Sequence, residues 1–140
     1  MTSPLDTMLL LRSLPLFERL TNAQFLALAD IVVETDVRQG TVVVAAGAMD
    51  TTMYFVVAGE FQVLRSGLEI ARFGAGDFFG EMALLENAPR SADVVAATDA
   101  RLLALERNDL YRLMRELPGI AIAMCQALSA RIRATTARFT

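Results

Sequence analysis

The segment FFGEMALLENAPRSA, residues 78–92, places a carboxylate and a guanidinium nine residues apart on either side of a short loop. Gly80 ends a glycine-containing turn, and we predict that Glu81 begins a short helix. Free backbone amides at a helix start bind anions, and here they belong to Glu81, Met82 and Ala83. Arg90 supplies a planar fork of donors that suits phosphate oxygens. The segment therefore predicts a phosphate site that also carries a carboxylate.

Glu81 restricts which phosphate could bind, because it would repel an isolated phosphate dianion. A singly charged phosphate diester beside a free hydroxyl removes this conflict, since the carboxylate accepts from the hydroxyl while Arg90 and the amides bind the phosphate. A nucleoside 3′,5′-cyclic monophosphate has this chemistry. On spacing alone a second interpretation stays open, in which Glu81 complements the helix dipole and Arg90 pairs with a surface acid.

The residue types that are missing exclude most catalytic chemistry. The chain of 140 residues has no histidine, no lysine and no tryptophan, and it has one cysteine, Cys125. Histidine-based triads, Schiff-base lysines, Walker-type phosphate sites and the histidine-ligated metal of a cupin barrel are therefore excluded. We expect no enzyme activity, no metal and no cofactor. Cys125 lies in an apolar helical pattern, which predicts a small core residue rather than a nucleophile.

The charges are distributed unevenly along the chain. The net charge is −3, but residues 101–140 hold seven arginines against three acids. Because the chain as a whole is acidic, we expect no direct nucleic-acid binding. The longest apolar run, residues 120–125, is far shorter than the roughly 20 residues that span a bilayer. No charged leader with an apolar stretch precedes the body, so we predict a cytoplasmic protein without membrane insertion.

The elements that position the site are two helical regions around a central region of strands. Residues 1–34 are predicted as helical, with a helix over 22–33 that starts at the capping box TNAQ. Residues 35–107 hold short apolar, aromatic or β-branched runs between turn residues, which predict seven or eight strands. Six of these runs are TVVVAA, MYFVVA, EFQVLR, LEIARF, ADVVAA and RLLALE, and the SG at 66–67 suits a tight hairpin. We predict one α+β domain built on a closed antiparallel barrel or jelly roll, with the site at 76–92.

Residues 108–140 are predicted as two helices, the first capped by Asn108 and the second running from Gly119 to Phe139. The apolar stripe of the second helix is formed by Ile120, Met124, Leu128, Ile132 and Thr135. Its first half, IAIAMCQAL, is apolar almost all round, and such a helix is buried on more than one side. We therefore expect this helix to contact the barrel and also a second copy of the chain or an effector domain.

The sequence FGEMALLENAPRSA resembles, almost position for position, the phosphate-binding cassette of the cyclic-nucleotide-binding domain family. The order of helices and strands is also similar to that of bacterial cAMP-binding regulatory domains, so the resemblance covers nearly the whole chain. It implies an eight-stranded β-roll with N-terminal helices and two C-terminal helices, a hinge and a lid. It also implies a regulatory sensor that moves its C-terminal helices when it binds cAMP.

The resemblance assigns a role to each position of the cassette. It implies that Glu81 accepts a hydrogen bond from the ribose 2′-OH and that Arg90 binds the cyclic phosphate. The other ligand-binding positions, which donate backbone amides or a hydroxyl or complete the cassette, are Gly80, Met82, Ala83, Ser91 and Ala92. Serine rather than threonine at Ser91 favours cAMP and leaves cGMP possible.

The base contacts implied by the resemblance lie on the last helix. Counted from Pro118, Arg131 falls where a channel-type domain of the family has an arginine lid. Thr135 and Thr136 fall where the bacterial activator type contacts adenine. For each of the three, a solvated helical position is the alternative.

Two alternatives to a cAMP sensor remain open at this point. One is a sensor that prefers cGMP, and the other is a protein-interaction module in which the pocket is unused. After Phe139 we expect no output domain in this chain. We therefore expect either a sensor cut from a larger protein or a stand-alone regulator.

Overall fold

The N-terminal region forms two helices separated by a 3-10 turn. The structure, a computed structural model, describes residues 3–18, 20–81, 86 and 88–137. Its first elements are α1 (Pro4–Arg12), the 3-10 turn (Pro15–Phe17) and α2 (Asn22–Ile31). The Thr21 hydroxyl accepts from the backbone N–H of Gln24, and the Gln24 side chain accepts from the backbone N–H of Thr21. The predicted capping box is therefore confirmed.

The described strands form two four-stranded antiparallel sheets. They are β1 (Val33–Val37), β2 (Val42–Val44), β3 (Thr52–Ala58), β4 (Phe61–Arg65), β5 (Leu68–Phe73), β6 (Phe78–Phe79), β7 (Asp93–Ala96) and β8 (Ala100–Glu106). Sheet A has the strand order β1-β8-β3-β6, and sheet B has the order β2-β7-β4-β5. The α+β class and the eight-stranded antiparallel β-roll are confirmed. The predicted hairpin is also confirmed, because Ser66 and Gly67 join β4 to β5 with φ angles of 53° and 80°.

Two strands, β1 and β6, lie outside the six predicted runs. β1 has the sequence VETDV, and of its five residues Val37 alone is buried. Its pairing with β8 extends from Val33 to Val37. β6 is two residues long and pairs with β3. Both segments are strands because of their partners rather than because of their own residue pattern.

Two apolar cores lie on opposite faces of sheet A. The helix-side core contains residues of α1, α2 and the C-terminal helices, and the inter-sheet core lies between sheets A and B. Since side chains alternate along a strand, β8 contributes Leu103 to the helix-side core and Leu102 to the inter-sheet core. In the same way β6 contributes Phe78 to the first and Phe79 to the second. Residues 78 and 79 therefore anchor the start of the predicted cassette on both cores.

The C-terminal region forms the two predicted helices, α3 (Arg107–Glu116) and α4 (Pro118–Ala137). The prediction that Asn108 caps the first helix is wrong. The chain passes from β8 directly into α3, so Glu106 is the N-cap, without a side-chain cap bond, and Asn108 lies inside the helix. Pro118 occupies the first position of α4, where its missing N–H leaves no helical hydrogen bond unmade. None of the described helices has the length and apolarity that crossing a membrane requires.

The long helix α4 is buried on one side and exposed on another. Ile120 and Met124 are buried in the helix-side core, whereas Ile122 and Ile132 expose 59% and 66% of their surface. The prediction that Cys125 is a core residue is wrong, because the cysteine is exposed. Ala127 and Leu128, one turn further along, are partly buried against the same core, so the exposed apolar residues lie on another side of the helix. The Thr135 side chain lies outside the described residues.

Candidate functional site

A cavity of about 290 Å³ opens against sheet B beside the predicted cassette. Its apolar wall comes from valines of β2, β4 and β7 and from the aromatic rings of Phe73 and Phe79. Its polar side is formed by Glu81, Glu86, Arg90 and Ser91. The structure therefore brings together five of the predicted ligand-binding residues, which are Gly80, Glu81, Arg90, Ser91 and Ala92. Met82 and Ala83 lie outside the described residues.

Gly80 allows Arg90 to approach the backbone of the cassette. Its φ angle is 92°, in the left-handed region that side chains other than glycine rarely adopt. A Cβ atom at this position would lie 2.7 Å from Nη1 of Arg90 and 2.8 Å from the carbonyl oxygen of Thr52. Any other residue at Gly80 would therefore have to displace the guanidinium or the neighbouring strand β3.

Arg90 is a buried guanidinium whose donors are not all used. Its side chain is 4% exposed. Nη1 donates to the carbonyl oxygen of Gly80 at 2.9 Å, and Nη2 donates to that of Thr52 and lies 3.5 Å from the Asp50 carboxylate. Within the described part of the chain, its buried Nε has no hydrogen-bond partner. A buried donor without an acceptor costs about 1–3 kcal/mol, so the cavity beside Arg90 favours an anion that supplies one.

The backbone around Arg90 is also fixed, and this holds the side chain in place. Its N–H donates to the carbonyl oxygen of Ala48 at 2.9 Å, and its carbonyl oxygen accepts from the N–H of Gly47 at 2.8 Å. Both partners belong to the turn between β2 and β3. The loop that carries Arg90 is therefore attached to the roll by its own backbone hydrogen bonds.

Glu81 is the buried carboxylate of the site, with a side chain that is 9% exposed. Its Oε1 accepts from Nη1 of Arg131 at 2.7 Å, across 50 positions of sequence. Arg131 also donates from Nη2 to the carbonyl oxygen of Phe78 at 2.7 Å. Arg131, the predicted base contact, therefore pairs with Glu81, the predicted acceptor for the ribose hydroxyl. Sequence spacing contains no signal for this pair, because it forms only when α4 crosses the end of β6.

The two other predicted base contacts, Thr135 and Thr136, lie in the last turn of α4. Their side chains are not among the described residues, so the structure leaves their roles as predictions. Arg131, five residues before Thr136, lines a second cavity of about 580 Å³ between α4 and the loop before β6. The C-terminal half of α4 thus lies beside the cassette.

Two further residues at the site were not predicted from the sequence. Asp50 accepts from the N–H of Thr52 at 3.1 Å through one oxygen and faces Arg90 with the other. Tyr54 stacks on Phe79, with ring centroids 5.2 Å apart. Burial, and then the nearby charge of Asp50, raise the pKa of Tyr54 above its ordinary value of 10.0. Asp50 could have been identified by its position in the turn AGAMD, because aspartate accepts from the backbone N–H two residues later in such turns.

The chemistry that this site can perform is recognition of an anion that also carries a hydroxyl. Arg90, a buried cation with an unused Nε donor among the described residues, and Glu81, a carboxylate acceptor, line the same cavity. Charged partners make such hydrogen bonds short and strong. In the described portion of the chain, no group of three acidic or cysteine side chains is placed to hold a metal ion.

Comparison with known proteins agrees with this chemistry. The sequence profile of the cyclic nucleotide-binding domain matches residues 34–116. The chain is 37% identical over 100 residues to the cyclic AMP receptor protein of Thermus thermophilus, covering 68% of this chain and 46% of that protein. It is also 37% identical over 112 residues to a cyclic nucleotide-gated potassium channel of Rhizobium etli, covering 80% of this chain and 31% of the channel. The chain therefore spans less than half the length of either relative.

A solved structure shows the same fold over almost the whole chain. The cyclic nucleotide-binding domain from Methylobacillus flagellatus superposes with a TM-score of 0.82 at 25% sequence identity. The match covers 96% of this chain and 81% of that domain. It therefore includes the helices at both ends as well as the two sheets.

Proposed function

Because the chain belongs to the cyclic nucleotide-binding domain family, we propose that it binds a nucleoside 3′,5′-cyclic monophosphate, with cAMP preferred to cGMP, in the cavity beside Arg90. The observation that carries the proposal is the buried guanidinium of Arg90, whose Nε lacks a partner among the described residues. A relative that is 37% identical carries the name cyclic AMP receptor protein, which supports cAMP.

The phosphate is bound by Arg90 in this proposal. An exocyclic oxygen of the cyclic phosphate accepts from the buried Nε, which supplies the missing acceptor. The two carbonyl oxygens that hold Nη1 and Nη2 keep the guanidinium plane fixed while the ligand binds. Because Gly80 has no Cβ, the guanidinium can lie against the backbone of the cassette, in the position from which it binds the phosphate.

The ribose is bound by Glu81, which accepts from the 2′-OH. A cyclic monophosphate carries a single negative charge, whereas a linear nucleoside monophosphate carries close to two near neutral pH. Repulsion by the buried carboxylate is therefore greater for the linear ligand. The same cavity that accepts a cyclic nucleotide thus discriminates against its hydrolysis product.

The signal leaves the site through α4 in this proposal. A ligand shifts a conformational equilibrium only by its difference in affinity for the two states. Arg131 joins α4 to Glu81, so a ligand that binds Glu81 interacts with the C-terminal half of the helix. We propose that α4 changes position when the nucleotide binds.

The test is a calorimetric titration with cAMP, cGMP and linear 5′-AMP, using protein freed of nucleotide. The wild type should bind cAMP most tightly and 5′-AMP most weakly. Arg90→Lys keeps the charge but loses the fork, and should weaken cAMP binding roughly 10- to 100-fold. Arg72→Lys is the matched control, because Arg72 is half-exposed and pairs with Glu60 and Glu69 on the outer surface. Folded wild-type protein that binds none of the nucleotides would refute the proposal and favour a protein-interaction module.

The exposed face of α4 supports a second part of the proposal, that two copies of the chain associate through this helix. Ile122, Cys125 and Ile132 are exposed and are spaced by three and seven residues, which places them on one side of the helix at the spacing of a coiled-coil seam. Two copies meeting along this seam would bury these apolar side chains.

Self-association can be measured by light scattering on the full chain. The wild type should have twice the mass of one chain, and Ile122→Glu should be monomeric. Leu9→Glu on α1 is the matched control, because Leu9 is also 59% exposed but lies away from α4. Oxidation of the wild type should cross-link the chains through Cys125, the single cysteine. A wild-type protein that stays monomeric with and without cAMP would refute the dimer and leave an effector domain as the partner of this face.

A further inference from the structure

The cavity beside Arg90 has more acidic than basic side chains in its lining. Of the described residues that line it, Glu81 and Glu86 are carboxylates and Arg90 is the one guanidinium. The carboxylate of Asp50 also lies 3.5 Å from Nη2 of Arg90, and Arg131 pairs with Glu81. An anion that binds beside Arg90 adds a further negative charge to this group. A second cation at the cavity would therefore favour the bound anion.

Arg65, the last residue of β4, is placed to be this cation. β4 pairs with β7 through Val63 and Val94 and then through Leu64 and Asp93. Val63 and Val94 both line the cavity. Since side chains alternate along a strand, Arg65 points to the same side of sheet B as Val63, two residues before it. Arg65 therefore lies at the rim of the cavity.

A hydrogen bond joins Arg65 to the segment that carries Arg90. Nε of Arg65 donates to the carbonyl oxygen of Ser91 at 3.5 Å. Ser91 follows Arg90 directly and also lines the cavity. Among the described residues, this carbonyl is the hydrogen-bond partner of Arg65, and the residue is exposed. Its two terminal nitrogens are therefore available to a ligand at the cavity rim.

Arg65 and Arg90 differ in what they offer an anion. Arg90 is buried, and two carbonyl oxygens hold its guanidinium plane, so it donates in a fixed direction. Arg65 is exposed and is held by one long hydrogen bond, so it acts through its charge rather than through a fixed fork of donors. Salt screens a charge at an exposed position far more than one at a buried position. The two arginines should therefore respond differently to salt and to replacement by lysine.

We propose that Arg65 is a second phosphate-binding residue, which approaches the cyclic phosphate from the rim of the cavity while Arg90 binds it from the buried side. This role rests on the proposed function, because it assumes a cyclic nucleotide in this cavity. It adds the hairpin of β4 and β5 to the groups that bind the ligand. Since cAMP and cGMP carry the same cyclic phosphate, Arg65 strengthens the binding of both and does not discriminate between the bases.

The test is a calorimetric titration of the full chain with cAMP and with cGMP, at low and at high salt. Arg65→Gln removes the charge and should weaken both ligands by the same factor. We expect about 5-fold at low salt, which is at the upper end for an exposed charge pair. Because salt screens an exposed charge, the loss should be smaller at high salt. Arg65→Lys keeps the charge and should bind both ligands almost as tightly as the wild type.

The matched control is Arg72→Gln, which removes the same charge from the opposite side of sheet B. Arg72 lies on the neighbouring strand β5 opposite Gln62, and it pairs with Glu60 and Glu69. Its replacement should leave both affinities at the wild-type value. Thermal unfolding of each variant shows that it is folded under the conditions of the titration.

Three results would overturn this role for Arg65. A loss that differs between cAMP and cGMP would show that Arg65 contacts the base, whose purine edge carries acceptors at N7 and, in guanine, at O6. An equal loss in Arg65→Lys and Arg65→Gln would show that the Nε bond to Ser91 matters and the charge does not. Wild-type affinity in Arg65→Gln would show that Arg65 has no part in binding.

The wild type separates failure of this role from failure of the proposed function. In each of the three results the wild type still binds cAMP, so the proposed function stands and the role of Arg65 fails alone. If the folded wild type binds neither nucleotide, the proposed function and the role of Arg65 both fail.

Discussion

Arg90 and Arg101 both face acidic side chains, but their surroundings differ in burial and in the number of carboxylates. Arg101, at the start of β8, has a side chain that is 47% exposed, and its Nε lies 3.0 Å from Asp36 and 3.1 Å from Glu34. Arg90 is 4% exposed, and the carboxylate of Asp50 is 3.5 Å from its Nη2. Two carbonyl oxygens accept from Nη1 and Nη2 of Arg90.

The difference shows how the same side chain serves stability in one place and binding in another. The exposed Arg101 keeps access to water and has two anionic partners, so little is gained by adding another anion. The hydrogen bond to Asp36, followed by the charges of Asp36 and Glu34, raises the pKa of Arg101. Arg90 is buried, and its Nε has no acceptor among the described residues. A buried cation with an unused donor attracts an anionic ligand.

The largest effect that we expect from breaking this arrangement is that of Gly80→Ala. The new Cβ would lie under 3 Å from the Arg90 guanidinium and from the Thr52 carbonyl, in a backbone conformation unfavourable to alanine. The guanidinium must therefore move from the position that binds the phosphate. We expect the affinity for cAMP to fall about 100-fold and the free energy of unfolding to fall by about 1–3 kcal/mol. Calorimetry and denaturant unfolding measure the two effects.

A matched control for this change is Gly67→Ala in the β4–β5 turn. Gly67 also has a positive φ angle, but a Cβ there meets no atom within 4 Å. Its replacement should cost stability through the backbone alone, and cAMP affinity should stay at the wild-type value. If both variants bind cAMP as the wild type does, the position of Arg90 does not determine binding.

A smaller effect concerns Tyr54, which lies near Asp50 and the buried Arg90. Burial, and then the charge of Asp50, raise its pKa. Above pH 10.0 the unfolded chain loses the Tyr54 phenol proton before the folded chain does. The contribution of this proton to the free energy of unfolding is therefore complete below pH 10.0. It is lost as the pH rises through the folded value. The chain has two tyrosines and no tryptophan, so in a Tyr111→Phe variant the tyrosinate absorbance reports Tyr54 alone. A midpoint at or below 10.0 would contradict the burial of this ring.

Much of the fold could be predicted from the sequence because its signals are local. The capping box at Thr21, the hairpin at Ser66 and Gly67, and six of the strands are each specified by a few adjacent residues. β6 could not be predicted in this way, since Phe78 and Phe79 form a strand only by pairing with β3. The error at Asn108 has a similar origin. Asn108 is a good capping residue, but the chain continues from β8 directly into the helix, so the N-cap is Glu106, two residues earlier.

The site could be predicted in part for the same reason. Glu81 and Arg90 belong to one continuous segment, and the structure places both in one cavity. The contact between Arg131 and Glu81 depends on the path of α4 across β6, which no local pattern specifies. Burial of Cys125 and Ile132 was predicted from an apolar pattern, yet apolarity gives no information on whether the covering surface belongs to the same chain.

The smallest effect that we expect is that of Arg101→Gln, which removes the exposed member of the comparison. Exposed ion pairs contribute little, because water screens the charges and two flexible side chains must be ordered. We expect the Tm to fall by about 3 °C or less at low salt, with a smaller change in high salt, and cAMP affinity to be unchanged. Thermal unfolding at two salt concentrations, with a titration of the same sample, measures both quantities. If Arg101→Gln weakened cAMP binding as much as Arg90→Lys, burial and missing partners would not distinguish the binding arginine from the surface one.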